Sequence, residues 1–176
     1  MYEYILKNKL NSIYRKQPRE KRFLNWKNIH TVLIMFDTAH LDEVSVFIKQ
    51  LKKNGKKVTV CAYQKNDDKQ QCSTNSYYVI SKKDAGKWFD NPLHSIAQEL
   101  KKKTFDAVID LTLNRNIPLE YLLAHTSASV KAGFKKTNFS PYDLAITSLP
   151  LGDAESYQIK ELYKQIVYYL DQIGAG

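Results

Sequence analysis

The segment from Thr104 to Phe134, TFDAVIDLTLNRNIPLEYLLAHTSASVKAGF, constrains the fold more than any other. Phe105 to Leu111 is a near-continuous apolar run with Asp110 towards its end. A strand buried on both faces of a parallel sheet has this pattern. Pro118 suits the first turn of a helix, where its missing N–H costs nothing. Leu119, Leu122 and Leu123 give that helix an apolar face. Ser127 to Ser129 break it, and Val130 to Phe134 reads as the next short strand.

The rest of the chain repeats the alternation. Asn28 to Phe36 contains the first core strand, with Ile29, Val32, Leu33, Ile34 and Met35. Leu41, Val44, Phe47 or Ile48, and Leu51 recur at helical spacing after it. Asp37 or Thr38 suits the cap of that helix, and Asp42 and Glu43 suit its positive end. Gly55 ends it, and Lys57 to Tyr63 is the second strand, reached by a right-handed crossover. Tyr77 to Ser81 is a third, shorter strand, expected at a sheet edge. Lys82 to Asn91 reads as irregular, with Trp88 and Phe89 covering one face of the core. Pro92 starts a helix that runs to Lys102. Tyr142 to Thr147 is the final strand, and Ser156 or Asp153 caps a last helix ending at Ile173. The expected fold is α/β: a three-layer Rossmann-like sandwich with a mostly parallel sheet of about six strands. Residues 1–22 read as an N-terminal arm whose basic amphipathic helix spans Tyr4 to Arg15, and residues 23–176 as a single α/β domain.

A chain of 176 residues is long enough for one sizeable core. Its formal net charge of +9, mostly from lysine, fits either a solvated surface or an anionic partner such as nucleic acid. Of the two cysteines, Cys61 lies in an apolar strand and Cys72 in a polar loop. With no CxxC pair, zinc and redox-motif readings have little support. No run of about 18 apolar residues is present, so no membrane span is expected. The first residues lack the apolar core of a signal peptide. A cytoplasmic location is the expectation.

Familiar motifs are absent. Gly55, Gly86, Gly133, Gly152, Gly174 and Gly176 form neither GxGxxG after a strand nor GxxxxGK[ST]. There is no GxSxG and no HExxH. No metal site and no cofactor is expected. The candidate site is therefore topological. If the strand order is 3-2-1-4-5-6, strands one and four are neighbours where the winding reverses, and ligands bind at their carboxyl ends. Asp37, Thr38 and His40 would lie there after strand one, with Asp110, Thr112, Asn114, Arg115 and Asn116 after strand four. Asp37, Thr38, Asp110, Asn114 and Arg115 are the candidate ligand-binding residues. Carboxylate, guanidinium, hydroxyl and amide groups together can hold a phosphate or a sugar. The same residue types also cap helices and build turns. Asp110 can equally accept hydrogen bonds from the loop after it.

His125, on a helix beside apolar residues, reads as packed rather than catalytic. His30 and His94 have no partner at metal-ligand spacing. No catalytic residue is assigned. Tyr157, Tyr163, Tyr168 and Tyr169 cluster on the last helix, and tyrosine is enriched at interfaces, so a homodimer or a protein partner is a further expectation.

From Ile29 to Leu170 the chain resembles a small bacterial family of unknown function. The resemblance is carried by TVLIMFDTAHLDEV, KNGKKVTVCAY, the Thr104–Phe134 segment and YDLAI, with the basic helix before them. It implies a Rossmann-like fold and no known activity. FDAVIDL, a short helix and SVKAGF also look like the N-terminal domains of heptosyltransferase-type glycosyltransferases. That likeness covers Phe105 to Phe134. In those enzymes a second Rossmann-like domain holds the nucleotide sugar. A chain of this length has no room for it, which argues against independent glycosyl transfer.

Taken together these features lead to a non-catalytic module that binds a ligand or a partner. An enzyme acting on a phosphorylated or sugar substrate at the strand-one/strand-four crevice is the alternative. A basic nucleic-acid-binding protein is a further one, resting on charge alone.

Overall fold

In the computed structural model, residues 4, 8–10, 12–14, 19–65, 76–85, 92–138, 140–152 and 154–173 are described, and their strands follow the apolar runs. The strands are β1 (Thr31–Asp37), β2 (Lys57–Gln64), β3 (Tyr77–Ser81), β4 (Thr104–Asp110), β5 (Ser127–Phe134) and β6 (Leu144–Ile146). They form one sheet in the order β3-β2-β1-β4-β5-β6. Every neighbouring pair is parallel. The winding reverses between β1 and β4, as in the doubly wound dinucleotide-binding arrangement.

Side chains alternate across a strand, so each strand feeds two cores. From β1, Val32, Ile34 and Phe36 join the layer containing α1 (Leu41–Lys53) and α5 (Glu155–Gln172). Leu33 and Met35 join the opposite layer, with α3 (Pro92–Lys101) and α4 (Ile117–His125). A further helix is the single turn α2 (Lys82–Ala85). Both faces being covered explains why the middle of β1, Val32–Phe36, and of β4, Ala107–Ile109, is a continuous apolar run rather than alternating. Each fully buried Leu, Ile, Val or Met contributes about 1.5–3 kcal/mol relative to exposure.

Local chemistry sets the ends. Asp37 accepts from the Ala39 N–H at 3.0 Å and caps a short 3-10 turn, Thr38–His40, which runs into α1. Gly55 closes α1 with φ +77°, a conformation that L side chains resist. Asn116 caps α4 through the Leu119 N–H at 3.1 Å, with Pro118 in the first turn.

Several boundaries differ from the sequence expectation. The first strand begins at Thr31, because Trp26–Asn28 forms a 3-10 turn capped by Asn25. Lys82–Ala85 is helical rather than irregular. Ser81 N–H and Oγ donate to Asp84, and the Asp84 N–H donates back to Ser81 Oγ, a reciprocal capping box. Strand β5 starts at Ser127, so the serines open a strand as well as end a helix. The last strand is shorter than Tyr142–Thr147 and α5 has Ala154 at its cap position, with no side-chain capping bond. Cys72, Trp88, Phe89 and Asp153 lie outside the described residues.

The N-terminal segment packs on the α3/α4 layer. Residues 8–10 and 12–14 are helical, and Leu10, 2% exposed, sits in that core with Leu119 and Leu122. Tyr14 donates its hydroxyl to the Glu120 carbonyl at 3.1 Å. Arg19 pairs with Asp143 and donates to the Ala128 carbonyl at 2.8 Å. The Arg22 N–H donates to the Ser129 carbonyl at 2.9 Å.

Candidate functional site

Parallel strands all deliver their carboxyl ends to one edge of the sheet. At that edge β1 and its neighbour β2 reach Asp37 and Tyr63 in register, and β4 on the other side ends at Asp110. Chains leaving β1 and β4 must diverge to opposite faces, which opens a crevice between them. The crevice is a cleft of ≈ 800 Å³. Its floor is the Leu111–Pro118 loop and the start of α4. One wall carries Asp37, Ala39 and His40, and another Tyr63, Lys65 and Lys82. Glu155, from the start of α5, and Tyr4, from the N-terminal segment, complete the lining.

Of the residues singled out from the sequence, Asp37, His40, Thr112, Asn114, Arg115 and Asn116 line this cleft. Thr38 and Asp110 do not. Thr38 opens the 3-10 turn between β1 and α1. Asp110 lies behind the floor, 1% exposed. Lys65, Lys82, Glu155 and Tyr4 were not anticipated, since each comes from a segment distant in sequence from the β1 and β4 ends.

The cations face the cleft from separate elements. Lys65 follows β2 and Lys82 begins α2, and both are exposed. Arg115 is held by Glu120: Nε donates to both carboxylate oxygens at 3.1 Å, and one terminal nitrogen donates at 3.1 Å. This fork fixes the guanidinium at the cleft floor and leaves other N–H groups for a ligand. His40 Nε2 lies 3.2 Å from a Glu155 carboxylate oxygen.

Beneath the floor lies a buried polar network. Asp110 Oδ1 accepts from the Thr112 N–H at 2.9 Å and from its hydroxyl at 2.6 Å. Oδ2 accepts from Lys136 Nζ at 3.0 Å and from the Tyr142 hydroxyl at 2.5 Å. Lys136 also donates to Thr112 Oγ1, and lies 2.9 Å from the Tyr142 oxygen. Burial alone would raise the Asp110 pKa, but the Lys136 ammonium and the hydroxyls of Thr112 and Tyr142 hold it below the usual carboxylate range. Burial and the Asp110 charge push Tyr142 well above an ordinary tyrosine. These partners saturate the Asp110 carboxylate, so the network shapes the cleft floor by fixing the chain from Asp110 to Thr112. Gly133 makes the network possible. It pairs with Asp110 in register, and a Cβ there would stand 2.6 Å from a carbon of the Tyr142 ring.

His125 is half-buried, with Nδ1 2.8 Å from the Tyr121 carbonyl. Burial lowers its pKa. It packs against Tyr121 rather than facing the cleft. Among the described residues no group of His, Cys, Asp and Glu is arranged to hold a metal ion. Among them, too, no helix is long and apolar enough to cross a membrane.

Comparison with known proteins places the chain's family and its fold. The family model described as "Family of unknown function (DUF6913)" matches residues 2–173. No curated protein matches the chain. Among solved structures, the chain is similar to the glycosyl transferase family 9 protein from Veillonella parvula DSM 2008. The TM-score is 0.54 at 17% identity, over 84% of this chain. The match spans 43% of the Veillonella chain. At this identity the likeness is one of fold, a Rossmann-like α/β unit.

Proposed function

The chain belongs to the family of unknown function DUF6913, and we propose that it is a ligand-binding α/β module whose switch-point cleft takes a small phosphorylated compound. One observation carries the reading. A cleft of ≈ 800 Å³ opens where the sheet reverses its winding, and Lys65, Lys82 and Arg115 converge on it from three different elements. Concave sites at this position of open α/β sheets are where such folds hold ligands. Arg115 is the phosphate-fork candidate, oriented by Glu120. Lys65 and Lys82 supply point charges. Asp37, Asn114 and Asn116 are placed to bond hydroxyl or amide groups of the same ligand. Asp110 acts from behind, as the residue that positions the floor.

A second reading is an enzyme acting on a sugar or phosphorylated substrate. The His40–Glu155 contact favours it, since a carboxylate that orients an imidazole is a common general-base arrangement. The Veillonella glycosyl transferase adds only that a similar fold occurs in a longer chain of that name.

The test is a thermal-shift and calorimetric screen of the full chain against inorganic phosphate, sugar phosphates and nucleotides. A ligand that binds only the folded state stabilises it by about 2.7 kcal/mol at a hundredfold excess over Kd. The Arg115→Ala and Lys82→Ala variants are expected to weaken the response at least about tenfold each, the loss of a charge-assisted hydrogen bond. A hit unaffected by either variant refutes the cleft assignment, and no hit in any class refutes small-ligand binding. Turnover of a hit that vanishes in His40→Gln with binding intact supports the enzyme reading.

A further inference from the structure

The opposite end of the sheet carries a second, separate feature. Because the sheet is parallel, all strand beginnings share one rim, and the helices α1 and α3 both end there. Lys52 and Lys53 close α1, Lys57 opens β2, and Lys101 and Lys102 end α3 just before β4. Lys27 lies in the 3-10 turn before β1. All six are exposed. Strands β2, β1 and β4 are adjacent, and the Lys57 N–H donates to the His30 carbonyl at 2.7 Å, so these loops abut one another.

The helix dipole accounts for Lys52, Lys53 and Lys101, which sit in last turns. It does not account for Lys27, Lys57 or Lys102. The carboxylates of Asp106 and Glu99 offset part of this charge, but the six exposed lysines outnumber them. Asp106 spends its carboxylate on the His30 and Thr31 N–H groups at 2.8 and 2.9 Å. Glu99 accepts from Tyr78 at 2.8 Å. Half-buried Lys56 and Lys103 add charge behind the rim.

Aromatic rings stand beside it. The end of α5 is tied to the rim by Asn25 Nδ2, which donates to the Asp171 and Ile173 carbonyls at 2.7 and 3.1 Å. One turn back, Tyr168 and Tyr169 are exposed, edge to face with centroids 5.5 Å apart. Exposed aromatics beside a lysine patch suit stacking of unpaired bases over a phosphate backbone. A lipid surface would call for exposed aliphatic wedges. Among the described residues the exposed large aliphatics, Val46 and Leu151, lie elsewhere, in mid-α1 and before α5.

We infer that the amino-terminal rim of the sheet, lysines 27, 52, 53, 57, 101 and 102 with Tyr168 and Tyr169 beside them, is a binding surface for single-stranded nucleic acid. Recognition is by backbone charge and stacking, without base-edge readout. Contact with about five phosphates gives a log–log salt slope of about −3.5, or a loss of about a hundredfold in affinity from about 50 to about 200 mM salt.

The experiment is fluorescence anisotropy of the full chain with a dye-labelled single-stranded oligonucleotide of mixed sequence. One variant replaces Lys52, Lys53, Lys101 and Lys102 by Gln. A control carries Lys135→Glu and Lys160→Glu, exposed residues just past β5 and in α5. Both variants lower the formal net charge from +9 to +5. The rim variant is expected to lose at least about tenfold in affinity and to flatten the salt slope, while the control keeps both. Tyr168→Ala is expected to weaken single strands more than duplex. No binding at low salt overturns the proposal. So does equal loss in the two variants, which means diffuse attraction, and so does capture by phosphatidylserine vesicles without oligonucleotide binding. The rim is remote from the cleft, so failure here leaves the cleft reading untouched.

Discussion

Gly133→Ala is expected to be among the most damaging conservative changes in this protein. An added Cβ would lie 2.6 Å and 2.7 Å from two carbons of the Tyr142 ring. Carbon atoms prefer about 3.5–4.0 Å, so the ring must retreat by about 1 Å. It cannot do so freely. Its hydroxyl is 2.5 Å from Asp110 Oδ2 and 2.9 Å from Lys136 Nζ, in a buried setting. Overpacking a well-filled core costs about 1–3 kcal/mol. Loosening a hydrogen bond to a buried charge adds about 1.5–3 kcal/mol. Together the loss should be about 3–5 kcal/mol, a fall in Tm of about 10 °C for a domain of this size. Urea unfolding of wild type, Gly133→Ala, Tyr142→Ala and the double variant measures it. If the ring is the obstacle, Gly133→Ala costs much less in the Tyr142→Ala background, with a coupling of at least about 1 kcal/mol. A loss below about 0.5 kcal/mol, or strict additivity, would refute the argument.

Lys131 is buried at 1% exposure and donates to the Leu123 carbonyl at 2.7 Å at the end of α4. Burial, helped by Arg19, pulls its pKa down to about 7. The unfolded chain then holds more protons than the folded one between pH 7 and about 10.4, so this group makes stability rise across that window. Lys131→Met should remove that rise and be neutral or stabilising at pH 7, as read by urea midpoints at several pH values. In Tyr163, burial raises the hydroxyl pKa to about 12, so stability falls again above about pH 10. Asp110 has a folded pKa below its unfolded value of about 3.9, so its contribution is present above that pH and is lost as pH falls through the folded value. Lys136→Met should raise the Asp110 pKa and move the acid-unfolding midpoint upwards. Arg19→Ala leaves Asp143, only 4% exposed, with Lys21 at 3.5 Å and the Lys131 N–H. It is expected to cost about 3 kcal/mol and to expose Leu10 and Tyr14 to proteolysis first.

The sheet was legible because its strands are buried on both faces. Runs such as VLIMF and AVID carry their own identity, and Gly55, Pro92 and Pro118 mark helix ends that local chemistry dictates. The α/β alternation points to a doubly wound sheet, whereas the order 3-2-1-4-5-6 enters as a supposition that the observed sheet matches. What escaped were features made by residues distant in sequence. Tyr142 and Lys136 reach Asp110 across more than twenty residues, and the one local sign is Gly133 near the end of a strand, which marks close approach. The Ser81–Asp84 capping box has the pattern S-x-x-D, which straddles the end of the third strand and the segment from Lys82 expected to be irregular. Asp37, Asn114 and Arg115 could be proposed from topology alone. Lys65, Lys82, Tyr4 and Glu155 could not, because nothing in the sequence states which loops meet above a sheet edge.

The claim that the switch-point cleft is a ligand site is tested most directly by mapping where a ligand binds. Backbone amide chemical shifts of the isotope-labelled chain, titrated with inorganic phosphate and then with a nucleotide, give that map. The expected result is saturable shifts confined to Asp37–His40, Tyr63–Lys65, Lys82 and Leu111–Ile117, reached only at ligand concentrations at least about tenfold higher in Arg115→Ala. Shifts centred on the lysine rim, or none at millimolar ligand, would contradict it.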